Sequence, residues 1–226
     1  MIHLAKRRAE PPGLAERRRT PDLSGWDLGP ATTEVREALE ADQLGLCAYC
    51  NRRLDAGWRI EHWVPRSVES TKTYEWTNLL GVCSGHSGER PRDLPALPNP
   101  MEGRSEHCDA SKRNTLLSLN PLKPAVTGEV KYSRSGRVEG TSAAAAADVL
   151  TLNLNQWRLQ SNRRLVWERA EQALHEAGWS ESALNHLDRA VNSADADGKL
   201  PAYVSTLRGA LPRWRAVAKG MRAQRG

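Results

Sequence analysis

The chain has 226 residues, 39% of them hydrophobic and 27% charged, and it carries a formal net charge of +6. That length can bury a core without disulfides, and the balance excludes an intrinsically disordered chain. The cationic excess favours a polyanionic partner.

The first segment, "MIHLAKRRAEPPG", lacks the apolar centre of a signal peptide. No apolar run approaches bilayer length, so the expectation is a cytoplasmic protein with no membrane contact. In a reducing compartment, four cysteines are expected as metal ligands or free thiols rather than disulfides. Residues 1–32 contain "AKRR", "ERRR", paired prolines and several glycines. They read as an extended basic arm, either a solvated tail or a phosphate-contacting one.

Residues 33–44, "TEVREALEADQL", predict a helix with Thr33 as cap and Val35, Ala38 and Leu39 on one face. This helix opens a central unit, 33–125, rich in cysteine and poor in long periodic runs. Strands are predicted over 58–63 and 77–82, a loop over 84–107, and a helix over "DASKRNTLLSL", 109–119. The third unit, 126–226, begins with "GEVKYSRSGRVEG", whose alternation around Ser-Gly predicts a hairpin. "TSAAAAAD" starts a helix. The stretch 155–178 predicts a long helix with apolar residues at Leu159, Val166, Ala170, Ala173, Leu174 and Ala177, stopped by Gly178. Ser180 caps the next helix, Trp179 and Leu184 are spaced as a staple across that cap, and Leu184, Leu187 and Val191 form its apolar face. A last helix starts near Pro201, with Pro212 expected to break or restart it. The fold expected is α+β.

Cys47 and Cys50 form a Cys-x-x-Cys knuckle that can place two thiolates on one tetrahedral zinc. A redox pair shares this spacing, but it needs a βαβ context that is not evident. Cys83 and Cys108 would complete a four-thiolate site. The rival is Cys83 with His86, leaving Cys108 free. Zinc there would contribute folding free energy to a unit with few periodic runs.

Glu61 and His62 adjoin at the end of the first predicted strand. On a regular strand they face opposite sides, so they converge only if the strand ends there, as Pro65 suggests. A hard divalent ion, magnesium or manganese, would take oxygen from Glu61 and from Asp109 in the first helical turn after the loop. His62 has the pKa to accept a proton from water. Together these perform phosphodiester hydrolysis. Asn78 either orients the histidine or ties the loop to the strand. Lys112 meets a phosphate or closes a salt bridge, and Arg66 is a second phosphate candidate.

The motifs "CAYC", "IEHWVPRS", "WTNLLGVC" and "HCDASK" together resemble the HNH nucleases, a ββα-metal finger family. More narrowly, the chain resembles the HNH endonucleases that accompany ATPases in bacterial anti-phage systems, the Septu (PtuB) and retron-associated putative HNH proteins. The resemblance extends to the basic start and to "LTLNLNQWRLQSNRR". It implies a zinc-stapled ββα-metal HNH finger with a β-hairpin and a helical C-terminal region, acting as a nuclease on DNA in antiviral defence with a PtuA-like ATPase partner. It implies that Glu61 and Asp109 ligate the catalytic ion, that His62 is the general base and Asn78 positions it, that Cys47, Cys50, Cys83 and Cys108 bind zinc, and that Lys112 closes the motif. The long loop between Cys83 and Cys108, and aspartate at 109, depart from the family pattern; His86 and His107 are the substitutes. Two other classes stand beside this one. A zinc-stapled module could bind nucleic acid without cutting, and the arm and C-terminal helices could serve to dock an ATPase. Trp63 and Trp76 read as core wedges, and His175 and His186 as surface or cap residues.

Overall fold

The computed structural model describes residues 1–21, 26–88, 90 and 99–224. The loop predicted over 84–107 therefore lies in part outside the described residues. The N-terminal segment is not an extended arm. Met1, Ile2 and Leu4 are buried, and the Leu4 N–H donates to the Pro121 carbonyl at 2.8 Å. Helix α1 (Pro12–Arg19) starts on a proline, whose missing N–H costs nothing at that position, and buries Leu14. The composition of arginine, proline and glycine concealed this. The four apolar residues find a core built by distant parts of the chain.

Helix α2 (Thr32–Asp42) buries Val35 and Leu39 as their spacing predicts, and Glu34 accepts the Gly13 N–H at 2.7 Å, tying it to α1. Just past α2, Gln43 is 2% exposed. Its amide donates to the Leu46 and Gly81 carbonyls, both at 2.7 Å, and accepts the Gly81 N–H at 2.6 Å. One buried side chain so fixes the end of α2, the start of the knuckle and the second strand, with its polar atoms satisfied.

Strands β1 (Arg59–His62) and β2 (Leu79–Val82) pair antiparallel, His62 opposite Leu79 and Glu61 opposite Leu80. Helix α3 (Asp109–Lys112) follows and is one turn long. The helix predicted to Leu119 stops there because Arg113 takes φ +52° and because Asp148, from a later helix, offers the chain other bonds. Its Oδ2 accepts the Ser118 and Leu119 N–H groups at 2.7 and 2.6 Å.

Helix α4 (Val126–Glu129) leads into the predicted hairpin, β3 (Val130–Tyr132) with β4 (Val138–Gly140). Gly136 in its turn has φ +81°, and a Cβ there would stand 2.1 Å from the Gln160 carbonyl oxygen. Helix α5 (Ala143–Thr151) is capped by Ser142, α6 (Trp157–Glu176) by Gln156 and α7 (Glu181–Asn192) by Ser180. Helix α8 (Val204–Ala223) runs through Pro212 without a break. The lost hydrogen bond is outweighed by a buried stripe of Leu207, Leu211, Trp214 and Ala218, with Trp214 edge-on to Trp167 of α6 at 5.1 Å.

Between α5 and α6 the polar residues of "NLNQ" act as clamps. Asn153 donates to the Met101 and Glu106 carbonyls at 2.8 and 2.9 Å, and Asn155 brackets Val138 at 2.8 and 2.9 Å. Arg163 is 1% exposed and donates to the Gly136 and Leu154 carbonyls at 2.7 and 2.6 Å. The architecture is mixed α+β, with two small antiparallel sheets and one buried apolar cluster running from Met1 to Ala218. No helix among the described residues is long and apolar enough to cross a membrane.

Candidate metal centre and the adjoining acid–imidazole site

The knuckle is a tight turn. The Cys47 N–H donates to the Arg52 carbonyl at 2.8 Å, and the Asn51 N–H returns to the Cys47 carbonyl at 3.1 Å. Cys83 follows β2 directly, and Cys108 precedes α3 with φ +54° and its N–H on the Leu152 carbonyl at 2.8 Å. The four thiols are buried, and their sulfurs lie within 4.8 Å of one another. Cys47–Cys108 and Cys50–Cys83 are each 3.9 Å apart. Zinc–sulfur bonds in a tetrahedron put neighbouring sulfurs about 3.8 Å apart. The set therefore fits a metal such as zinc. Burial opposes ionisation of Cys47, but hydrogen bonds from Cys108, Cys50 and Cys83 outweigh it and hold its thiol well below the usual range. Burial pushes the Cys108 thiol up.

His107 touches this cluster without belonging to the sulfur set. Its Nδ1 is 3.2 Å from Cys108 Sγ and 3.9 Å from Cys83 Sγ, while Nε2 meets Ser87 Oγ at 2.8 Å. Burial lowers its pKa to about 4, so the ring is neutral. One ring nitrogen therefore faces sulfur and the other the Ser87 hydroxyl, so the ring links the cysteine cluster to the segment at Ser87. His86 is exposed, and its Nδ1 donates to the Ser84 carbonyl at 2.9 Å. Four cysteines converge, and the Cys83–His86 alternative is not formed.

Tyr49, between the knuckle cysteines, is fully buried and brings its hydroxyl to 3.5 Å from Glu61 Oε1. The same oxygen accepts from Lys112 Nζ at 2.6 Å, and Lys112 also donates to the His62 carbonyl at 3.1 Å. Lys112 is 1% exposed, so its cation is committed to Glu61 and not presented to a phosphate. Asp109, at the start of α3, stands 3.6 Å from Arg59 Nη1. Burial and the Asp109 carboxylate push the Glu61 carboxyl up to about 8, against the pull of Lys112. Two acids lie side by side and only one of them meets the buried lysine, an arrangement that an additional cation would relieve. Among the described residues, however, the four cysteines form the one group of three or more His, Cys, Asp or Glu donors lying within 4.8 Å of one another. Glu61, His62 and Asp109 do not form such a group.

His62 ends β1 and is held by a different set of partners. Its Nε2 is 2.9 Å from the Thr73 carbonyl, and Trp26 stands edge-on to its ring, 4.4 Å between centroids at 81°. A carbonyl only accepts, so Nε2 carries the proton and Nδ1 keeps its lone pair. Nδ1 has no protein partner among the described residues. Burial lowers the His62 pKa to about 4; the Thr73 carbonyl opposes this, while the positive charges of Arg66 and Lys112 reinforce it. Arg66 itself is exposed.

Asn78 does not touch the imidazole. Its Oδ1 accepts the Val64 N–H at 2.7 Å, and its Nδ2 donates to the Val64 and Lys72 carbonyls at 3.1 and 3.0 Å. It closes the loop between the strands, and the carbonyl that holds His62 belongs to the next residue after Lys72. Of its two sequence readings, the loop tie is the one formed. Trp26, Gln43 and Tyr49 were not singled out from the sequence. Tyr49 sits inside the knuckle, which was a signal; Trp26, isolated in the N-terminal segment, gave none. Comparison with protein-family models and with curated proteins finds no match to this chain.

Proposed function

We propose that the chain is a metal-dependent endonuclease of the HNH type that hydrolyses phosphodiester bonds, with DNA as its substrate. The observation that carries this reading is that Lys112 bonds both Glu61 and the His62 carbonyl while Asp109 stands beside Glu61, joining the end of β1 to a helical turn that follows one of the four clustered cysteines. Neutral His62, with its Nδ1 lone pair open and Nε2 anchored on Thr73, takes a proton from water. The hydroxide formed attacks phosphorus, and the bond to the leaving oxygen breaks. The Thr73 carbonyl then stabilises the imidazolium. Glu61 and Asp109 would hold a magnesium or manganese ion, whose charge offsets that on the phosphate and the leaving oxygen. Tyr49 and Lys112 keep the Glu61 carboxyl in place, and Asn78 keeps the Thr73 carbonyl in place. By its motifs the chain would serve antiviral defence, with α6, α7 and α8 docking an ATPase that gates cleavage; co-purification with an ATPase encoded beside it tests that part.

One observation favours a second reading. Glu61 is already neutralised by a buried lysine, and its neighbours form no compact donor group. That suits a zinc-stapled module that binds nucleic acid without cutting. Plasmid cutting with magnesium or manganese decides between them. The nuclease reading expects cutting that His62→Ala abolishes while DNA binding persists. Binding with no cutting by the parent chain would leave the binding module.

A further inference from the structure

Against the loop that holds His62 lies a cavity of about 420 Å³. The N-terminal segment, the loop and residues 120–123 form its walls, with His3, Lys6, Lys72 and Lys123 among its lining and Glu75 as the one carboxylate among the described lining residues. Lys6 is the unusual member. Its Nζ donates to the Leu79 carbonyl at 2.8 Å and stands 3.5 Å from the centroid of the Trp76 ring. No carboxylate lies within ion-pair distance of it among the described residues, although its surroundings are dry enough to lower its pKa to about 7; the charge of Asp42 offsets little of this. Lys72 pairs with Glu69 at 2.8 Å, and Lys123 is exposed with no ion-pair partner among the described residues.

A desolvated ammonium with no counter-charge is costly, and an anion entering the cavity would supply that charge. Several cations from separate segments of the lining suit a group with several acceptor oxygens and more than one site for charge. The volume exceeds a lone phosphate and leaves room for an attached sugar. We propose that this cavity binds a phosphate ester, held by Lys6 of the N-terminal segment and Lys123 of the segment 120–123. The source is a nucleic-acid strand; that identification rests on the nuclease reading, whereas the phosphate site does not. The cavity shares Val64, Lys72 and Asn78 with the loop whose next carbonyl anchors His62. Its occupant therefore bears on the segment that aims the imidazole.

The test uses the zinc-loaded full chain, with no added divalent ion, and two probes: a deoxynucleoside monophosphate by calorimetry and a DNA duplex by fluorescence anisotropy over a range of salt. Lys6→Met keeps the stem against Trp76 and removes the charge; Lys123→Gln changes an exposed residue and leaves folding alone. The expected result is monophosphate binding about tenfold weaker for Lys6→Met and more mildly weakened for Lys123→Gln. The slope of log K against log salt for DNA should fall by about one for each variant. Weakened monophosphate binding with an unchanged DNA slope would overturn the strand as source and leave a free nucleotide as occupant. Unchanged binding of both probes in both variants, or no binding of either by the parent, would overturn the site. A lysine-dependent slope in a chain that never cuts would uphold the site and end the nuclease reading instead.

Discussion

Lys112 Nζ lies 2.6 Å from Glu61 Oε1 and 3.1 Å from the main-chain carbonyl of His62, so one buried cation touches both halves of the acid–imidazole pair. Breaking a buried pair from one side costs about 3–5 kcal/mol, because the other charge is left unpaired. Lys112→Met should therefore lower thermal stability by that order and push the Glu61 carboxyl further up. Magnesium should then raise the melting temperature of the variant more than that of the parent, since an ion at Glu61 no longer competes with the lysine. Equal shifts in both would argue against an ion at Glu61.

One tightly held zinc per chain is expected by metal analysis of the purified protein. Cys50→Ser or Cys83→Ser should cost about 4 kcal/mol or more, the scale of losing a structural metal. His107 separates ligand from neighbour: His107→Ala should weaken zinc binding about 10- to 100-fold without abolishing it, as removal of an outer partner does. His86→Ala should leave zinc affinity unchanged. Competition with a chromogenic chelator reads all of these.

Asn78→Ala removes three hydrogen bonds that close the loop between the strands. We expect a stability loss of about 1–3 kcal/mol. Cleavage should slow through kcat, because the Thr73 carbonyl no longer holds the imidazole firmly. Zinc content should not change. A variant that cuts at the parental rate would remove Asn78 from the positioning of His62.

Lys6 predicts a pH dependence. In the unfolded chain it keeps its proton to about 10.5, while burial brings the folded value down to about 7. Between those values the unfolded state binds more protons, so stability rises as pH rises from 7 to 10.5 and is lost as pH falls back toward 7. Melting temperatures of the parent measured against Lys6→Met across that window should show the parent gaining relative to the variant. Parallel curves would place the ammonium in water.

Arg163 tests the C-terminal packing. It is 1% exposed, and two main-chain carbonyls take its guanidinium. Arg163→Met should cost about 3 kcal/mol, from two charge-assisted bonds and two stranded acceptors. Denaturant melts would show the loss with zinc content unchanged.

The sequence by itself determined what short-range rules control. The Cys-x-x-Cys turn, the Ser-Gly hairpin, the start of α5, the serine cap of α7 and the apolar stripe of α2 each depend on neighbours within a few residues, through turn chemistry, alternation or helical spacing. Only the tertiary structure decided the rest. It folded the basic N-terminal segment onto the core, cut α3 to one turn because Asp148 bids for its backbone, and carried α8 through Pro212 on a buried stripe. It set Trp26 against His62, 36 residues away by number, and sealed Lys112 onto Glu61 from 51 residues away. Those outcomes depend on desolvation and on partners remote in the chain, and neither is written in any local pattern.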